Sequence, residues 1–185
     1  MKKIVVIGDE GVGKTTLIES VSPCKLNWNR IDITEKLSIS IAILSINNIS
    51  IEVTELPEIS EEKNKSDWPK IAELIQIADL TVRVRDSSIK TVMNDTDDLL
   101  MDYDLESKVE NGLLVYSKWD LDPEYKKLKG KISEEFYNGF VNDWNLCFAL
   151  TISLYDMERF FTFDISSQED IGKIRNKILE ILSTD

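Results

Sequence analysis

KKIVVIGDEGVGKTTLIESV, residues 2 to 21, is the stretch on which the reading of the whole chain turns. Ile4, Val5, Val6 and Ile7 are consecutive β-favouring apolar residues ending at a glycine, which predicts a strand buried on both faces. Helical spacing begins at Lys14, with Leu17, Ile18 and Val21 on one side, and Ser22 and Pro23 stop it. Between strand and helix, Gly8, Gly13, Lys14 and Thr15 satisfy G-x-x-x-x-G-K-S/T in the setting that pattern needs. Its glycines permit a backbone whose successive N–H groups converge on phosphate oxygens, and the helix N-terminus adds its positive dipole. The candidate nucleotide-binding residues here are Glu10, Gly11, Val12, Gly13, Lys14, Thr15 and Thr16. Lys14 is expected to reach the β- and γ-phosphates as a catalytic cation, and the Thr15 hydroxyl to coordinate Mg2+. The competing reading is a Gly-rich turn that joins strand to helix and binds nothing.

Outward from the cradle, LSISIAILSI (residues 37 to 46) and ISIEVTEL (residues 49 to 56) alternate around Asn47 and Asn48 and predict an antiparallel hairpin. Residues 24 to 35 hold no sustained period and are expected to form a loop. SDWPKIAELIQIA, residues 66 to 78, predicts a helix capped by Ser66 or Asp67, with Pro69 in its first turn and Ile71, Leu74, Ile75 and Ala78 on one face. DLTVRVRDSS predicts a further strand, followed by a helical stretch through about Lys108, and NGLLVYSKWD, residues 111 to 120, a fifth strand. Beyond it, PEYKKLKGKISEEFYNGFVNDW reads as helical with a break near Gly130. Both LCFALTIS and RFFTFDIS compete for the sixth strand, and RFFTFDIS is preferred because it leads into the final helix. That helix, in SSQEDIGKIRNKILEIL, carries Ile171, Ile174, Ile178 and Ile181 at spacings of three and four. Strands alternating with helices, plus one hairpin, describe an α/β fold with a mostly parallel six-stranded sheet and one antiparallel edge strand.

The totals agree with one domain over residues 1 to 185. Hydrophobic residues make up 42% and charged residues 30%, a globular profile that leaves little room for extended disorder. The formal charge of −12, from 34 acidic and 22 basic residues, repels a nonspecific polyphosphate such as duplex DNA, so no nucleic-acid partner is expected. A nucleotide is a different case, because local N–H groups and one lysine hold phosphates whatever the global charge. Cys24 and Cys147 lie far apart and histidine is absent, which removes the commonest zinc ligand and the usual general base. A cytoplasmic setting is expected. Neither an integral membrane segment nor a lipid anchor is expected: no apolar run is long enough, Lys2 stands where myristoylation needs glycine, and the end, Leu182 to Asp185, has no prenylatable cysteine.

At the exit of the fifth strand stand Ser117, Lys118, Trp119 and Asp120. A carboxylate there can accept both N1–H and the N2 amino hydrogen of guanine, so Asp120 is the candidate base reader and the Lys118 stem would lie over the ring. With cradle, hairpin and SKWD in this order, the whole chain resembles the Ras-like small GTPases, which implies a three-layer P-loop NTPase fold binding GTP or GDP with Mg2+. Their base-reading motif is N/T-K-x-D, and Ser117 replaces the first residue. The resemblance also implies that Thr34, twenty residues after Lys14, closes over the metal as its second ligand. Ser166 and Ser167 in Ile165–Ser166–Ser167 look like the last base-contacting turn, and TISLYD, residues 151 to 156, competes through a likeness to the Rag subfamily. The opening GDEGVGKT is also similar to the first GTPase domain of the Miro family.

The departure falls on D-x-x-G-Q, the stretch that in this family holds a metal-bound water, contacts the γ-phosphate through a glycine amide and orients the attacking water. Here it is read against Thr54, Glu55, Leu56, Pro57 and Glu58. In that register Thr54 offers no charge, Pro57 has no N–H, and Glu58, the candidate catalytic residue in place of the glutamine, is negative. Glu55 is expected to point away from the site, since strand alternation opposes it to Thr54. Weak or partner-dependent GTP hydrolysis follows; the alternative is a pseudo-GTPase adaptor without nucleotide cycling, and a small P-loop kinase is a third reading. Arg30 is the local candidate for an arginine finger in cis, against a plain solvated charge. Trp28, an exposed aromatic of the first switch loop, and Trp68, at the start of the second helix, lie on the side where a protein effector or heteromeric partner would dock, and local packing is the favoured reading of each.

Overall fold

A computed structural model describes residues 1–86, 94–118 and 157–183. The strands are β1 (Lys2–Ile7), β2 (Asn29–Asp32), β3 (Ser38–Ile46), β4 (Ile49–Glu55), β5 (Leu80–Asp86), β6 (Leu113–Ser117) and β7 (Phe160–Thr162). The helices are α1 (Lys14–Val21), α2 (Glu61–Asn64), α3 (Trp68–Gln76), α4 (Asp95–Asp102), α5 (Glu106–Glu110) and α6 (Gln168–Leu182). The described strands form one sheet in the order β2-β3-β4-β1-β5-β6-β7. Pairing is parallel from β4 through β1, β5 and β6 to β7, and β3 runs antiparallel to both of its neighbours. The mostly parallel α/β plan matches the sequence expectation.

Two details differ from it. Asn29–Asp32 was expected to be loop and instead pairs with Ser38–Ile41, adding a seventh strand at the edge. All four of its residues are exposed, so no apolar alternation marks it in the sequence. The sixth strand of the sequence reading is β7, within RFFTFDIS, paired through Leu114↔Phe160 and Tyr116↔Thr162. The rival segment LCFALTIS lies outside the described residues.

Period-2 alternation divides the core between the two faces of the sheet. Ile4, Val6, Ile51, Val53, Val82, Val84 and Val115 pack with Leu17, Ile18 and Val21 of α1 and Ile171, Ile174 and Ile178 of α6. Val5, Ile7, Leu114 and Tyr116 pack on the other face with Ile71 and Ile75 of α3 and Leu99 and Leu100 of α4. That division decides which strand-end side chains face the cradle. Among the described residues no helix is long and apolar enough to cross a membrane.

Trp68 is 2% exposed, packed into the α3-side core beside Ile71, which is the local packing favoured for it over an interface role. It opens α3 on the inward side, and the Lys65 ammonium lies 5.4 Å from its ring centroid. Trp28 is half-buried against the α1-side core, and its indole N–H donates to Glu19 at 3.2 Å. Neither is a free interface aromatic, because a ring of that area gains more by closing the nearest core edge than by standing in water.

Candidate functional site

Between β1 and α1 the chain makes the loop its sequence predicts. Gly8 lies so close to the sheet that a Cβ there would sit 2.2 Å from the Val84 carbonyl oxygen. Gly13 caps α1 with φ 96° and makes no side-chain cap bond, so the first-turn N–H groups stay directed at whatever occupies the loop. Ser117 fastens the cradle from below, its hydroxyl sharing its one proton between the Val12 and Arg85 carbonyls. The substituted first residue of SKWD thus serves the loop as a brace.

Lys14 is buried, and its ammonium donates to the carbonyls of Gly8 at 2.7 Å and Asp9 at 2.8 Å. Burial lowers its pKa, and the carboxylates of Glu55, Asp9, Glu58 and Glu10 oppose that shift. Four acids around one buried lysine thus offset part of the cost of burying its charge, at the place where phosphate charge would arrive.

The decisive contact is between Thr15 and Glu55, whose carboxylate oxygens lie 2.9 and 2.8 Å from the threonine hydroxyl. This corrects the expectation that Glu55 points away. Alternation does oppose Glu55 to Thr54, but α1 packs on the face of Ile51 and Val53, and Glu55 shares their parity. Thr54 is 5% exposed, on the side away from α1. Counted from Glu55, the D-x-x-G-Q register moves by one: Glu58 falls on the glycine and Ile59, 2% exposed, on the glutamine. Pro57 then leaves the glycine position, and the residue there keeps an N–H. A threonine hydroxyl beside a carboxylate is a hard-oxygen pair of the kind Mg2+ takes, with its remaining positions filled by phosphate and water. Among the described residues no cluster of three acidic, cysteine or histidine side chains could hold a metal by itself.

Beside the cradle opens a cavity of about 400 Å3, lined in part by Gly11, Lys14, Glu55 and Glu58 and by two lysines absent from the sequence reading, Lys36 and Lys63. The Lys63 ammonium lies 2.6 Å from Glu58 and 3.7 Å from Glu10. The hydrogen bond that it donates to the Glu58 carboxylate raises the Lys63 pKa, so this lysine stays charged. Thr34 does not line the cavity: its hydroxyl accepts from the backbone N–H groups of Lys36 and Leu37, closing a local turn. Arg30 stands on β2, with its guanidinium 3.0 Å from the Ser38 hydroxyl and its side chain 77% exposed.

The remaining sequence candidates are placed as follows. Lys118, with φ 56°, sends its ammonium to Asp86 at 2.6 Å. Ser167 caps α6 by accepting from the Asp170 N–H, and Ser166 donates to Asp164 through backbone and hydroxyl at 2.8 and 2.7 Å. Asp120 and residues 151–156 lie outside the described residues. A polar chain not anticipated from sequence ties the cradle to α4. Asn94 caps that helix and donates to both carboxylate oxygens of Asp9, at 2.9 and 3.1 Å. Its capping-box partner Asp97 lies 2.6 Å from Arg83, the pair being 0% and 2% exposed. Two arginines in the strand LTVRVRD were the available signal, since a charge in a buried strand requires a partner.

No protein-family model matches the sequence, and no curated protein matches it. Solved structures do match the fold. The G domain of the T. maritima FeoB iron transporter aligns with a TM-score of 0.59 and 19% identity, over 98% of this chain and 99% of that one. The T. maritima FeoB cytosolic domain in a GDP form aligns at 0.58 and 18%, over all of this chain and 64% of the other. The cytosolic domain of L. pneumophila FeoB aligns at 0.58 and 14%, over 97% of this chain and 68% of that one. The chain therefore spans about two thirds of those cytosolic domains. These likenesses establish a P-loop G-domain fold and do not speak for a Miro or Rag subgroup.

Proposed function

We propose that this chain is a single G domain that binds GDP and GTP and turns GTP over slowly or only with a partner. One observation carries the reading: the buried Lys14, at the N-terminus of α1, and Glu55, whose carboxylate holds the Thr15 hydroxyl, line one cavity. The first-turn amides and Lys14 would hold the phosphates. Thr15 and Glu55 would hold Mg2+, which supplies charge neutralisation on the β- and γ-oxygens. Asp120, Lys118, Ser166 and Ser167 would contact the base, Thr34 would reach the metal only by leaving its turn, and a similar solved domain is described in a GDP form. Slow turnover is argued from Ile59, which has no group to orient a water, and from the Glu58 carboxylate, which repels a terminal phosphate.

Those two residues also favour a second reading, an adaptor that holds nucleotide without cycling it. In either case a protein partner would meet the switch side, where β2 is exposed throughout, and the cytoplasmic setting remains part of the proposal. The test is to titrate purified protein with GDP and GTP under magnesium and to follow phosphate release over hours. Binding that weakens about a hundredfold or more in Lys14→Ala, about 2.7 kcal/mol, is expected. Undetectable association with either nucleotide overturns the proposal, and GTP retained without phosphate release selects the adaptor.

A further inference from the structure

Three lysines and three glutamates meet in the cavity beside the cradle: Lys14, Lys36 and Lys63 against Glu10, Glu55 and Glu58. Lys14 is engaged with its own loop and Glu55 with Thr15. Lys63 alone of these cations is bonded to carboxylates on both sides of the opening, Glu10 of the cradle and Glu58 of the segment after β4. Its backbone is held in place: Ser60 accepts from the Lys63 N–H, and Asn64, 5% exposed, donates to the Glu58 carbonyl while accepting from the Ser60 N–H. A short helix is thereby locked to the loop that carries Glu58, with the ammonium spanning to Glu10.

We propose that Lys63 is the terminal-phosphate sensor of this site, exchanging the carboxylates of Glu58 and Glu10 for the γ-phosphate of a bound nucleoside triphosphate. A lysine ammonium is a compact charge with three rotatable donors on a flexible stem, suited to such an exchange. A diphosphate leaves the Glu10–Lys63–Glu58 bridge closed. A triphosphate brings further negative charge to the same opening, where it repels both carboxylates and attracts the cation between them. Glu58 then loses its partner and α2 its fastening across the opening, so occupancy of the third phosphate position is transmitted to residues 58–64. This supplies a γ-phosphate response in a chain without a glycine at the position three after the metal-side carboxylate.

The inference rests on the nucleotide-binding reading, and the experiment separates the two. Affinities for GDP and for GMPPNP are measured under magnesium by fluorescent-nucleotide displacement, for the native chain and for Lys63→Gln, Lys63→Arg and Glu58→Gln. Lys63→Gln should weaken GMPPNP about tenfold while GDP stays within about twofold, as loss of one charge-assisted bond requires. Lys63→Arg should keep the native ratio, and Glu58→Gln should shift it toward GMPPNP by removing the competing carboxylate. An unchanged GMPPNP-to-GDP ratio in Lys63→Gln, with both nucleotides still bound, overturns the sensor and leaves nucleotide binding standing. A native chain that binds neither nucleotide overturns both.

Discussion

Thr15, the second residue of α1, and Glu55, the last residue of β4, are forty positions apart and share a hydrogen bond of 2.8 to 2.9 Å. Their meeting places the carboxylate proposed for the metal one residue from where motif spacing puts it. Glu55→Gln should therefore remove the gain in GTP affinity that magnesium gives over EDTA, a loss of about tenfold or more. Thr54→Val, on the opposite face, should leave that gain within about twofold. The reverse pattern in the same titration would restore the register centred on Thr54.

Ser117 bridges the Val12 carbonyl of the cradle and the Arg85 carbonyl of β5. Ser117→Ala removes the hydroxyl that holds these two carbonyls and should cost about 1 kcal/mol of stability in urea denaturation. GDP affinity should fall with it, because the loop loses its brace. Ser117→Thr keeps the hydroxyl and should retain both.

Arg83 and Asp97 form an ion pair at 2.6 Å with almost no exposure. Removing one partner takes the 2.6 Å counterion from a buried charge, so Asp97→Ala should destabilise the fold by about 3 to 5 kcal/mol. The double change Arg83→Met with Asp97→Leu removes both charges of the pair and should recover most of that loss, read as the midpoint of chemical denaturation. Equal destabilisation by the single and double variants would show that the pair is not the source.

Gly8 and Gly11 separate two costs of a side chain in the cradle. Gly11, with φ 71°, has nothing within 4 Å of a built Cβ, and Gly11→Ala should cost about 1 to 2 kcal/mol from the left-handed backbone alone. Gly8→Ala forces a methyl to within 2.2 Å of the Val84 carbonyl oxygen and must push the loop off the sheet. Its stability loss and its loss of GDP affinity should both exceed those of Gly11→Ala.

Local spacing in the sequence determined β1, the cradle, α1, the β3–β4 hairpin and α6, because each is encoded by residues a few positions apart whose periodicity or turn chemistry admits one reading. It also determined that Glu55 and Thr54 lie on opposite sides of β4. Only the tertiary structure decided which side meets the cradle, since that depends on α1 packing against Ile51 and Val53, a contact between distant segments. The same dependence on distant contacts buried Trp68, added the exposed strand β2, paired Arg83 with Asp97 and set Lys63 between Glu10 and Glu58. A one-dimensional pattern fixes the parity of a strand; the helix that crosses over it chooses the face.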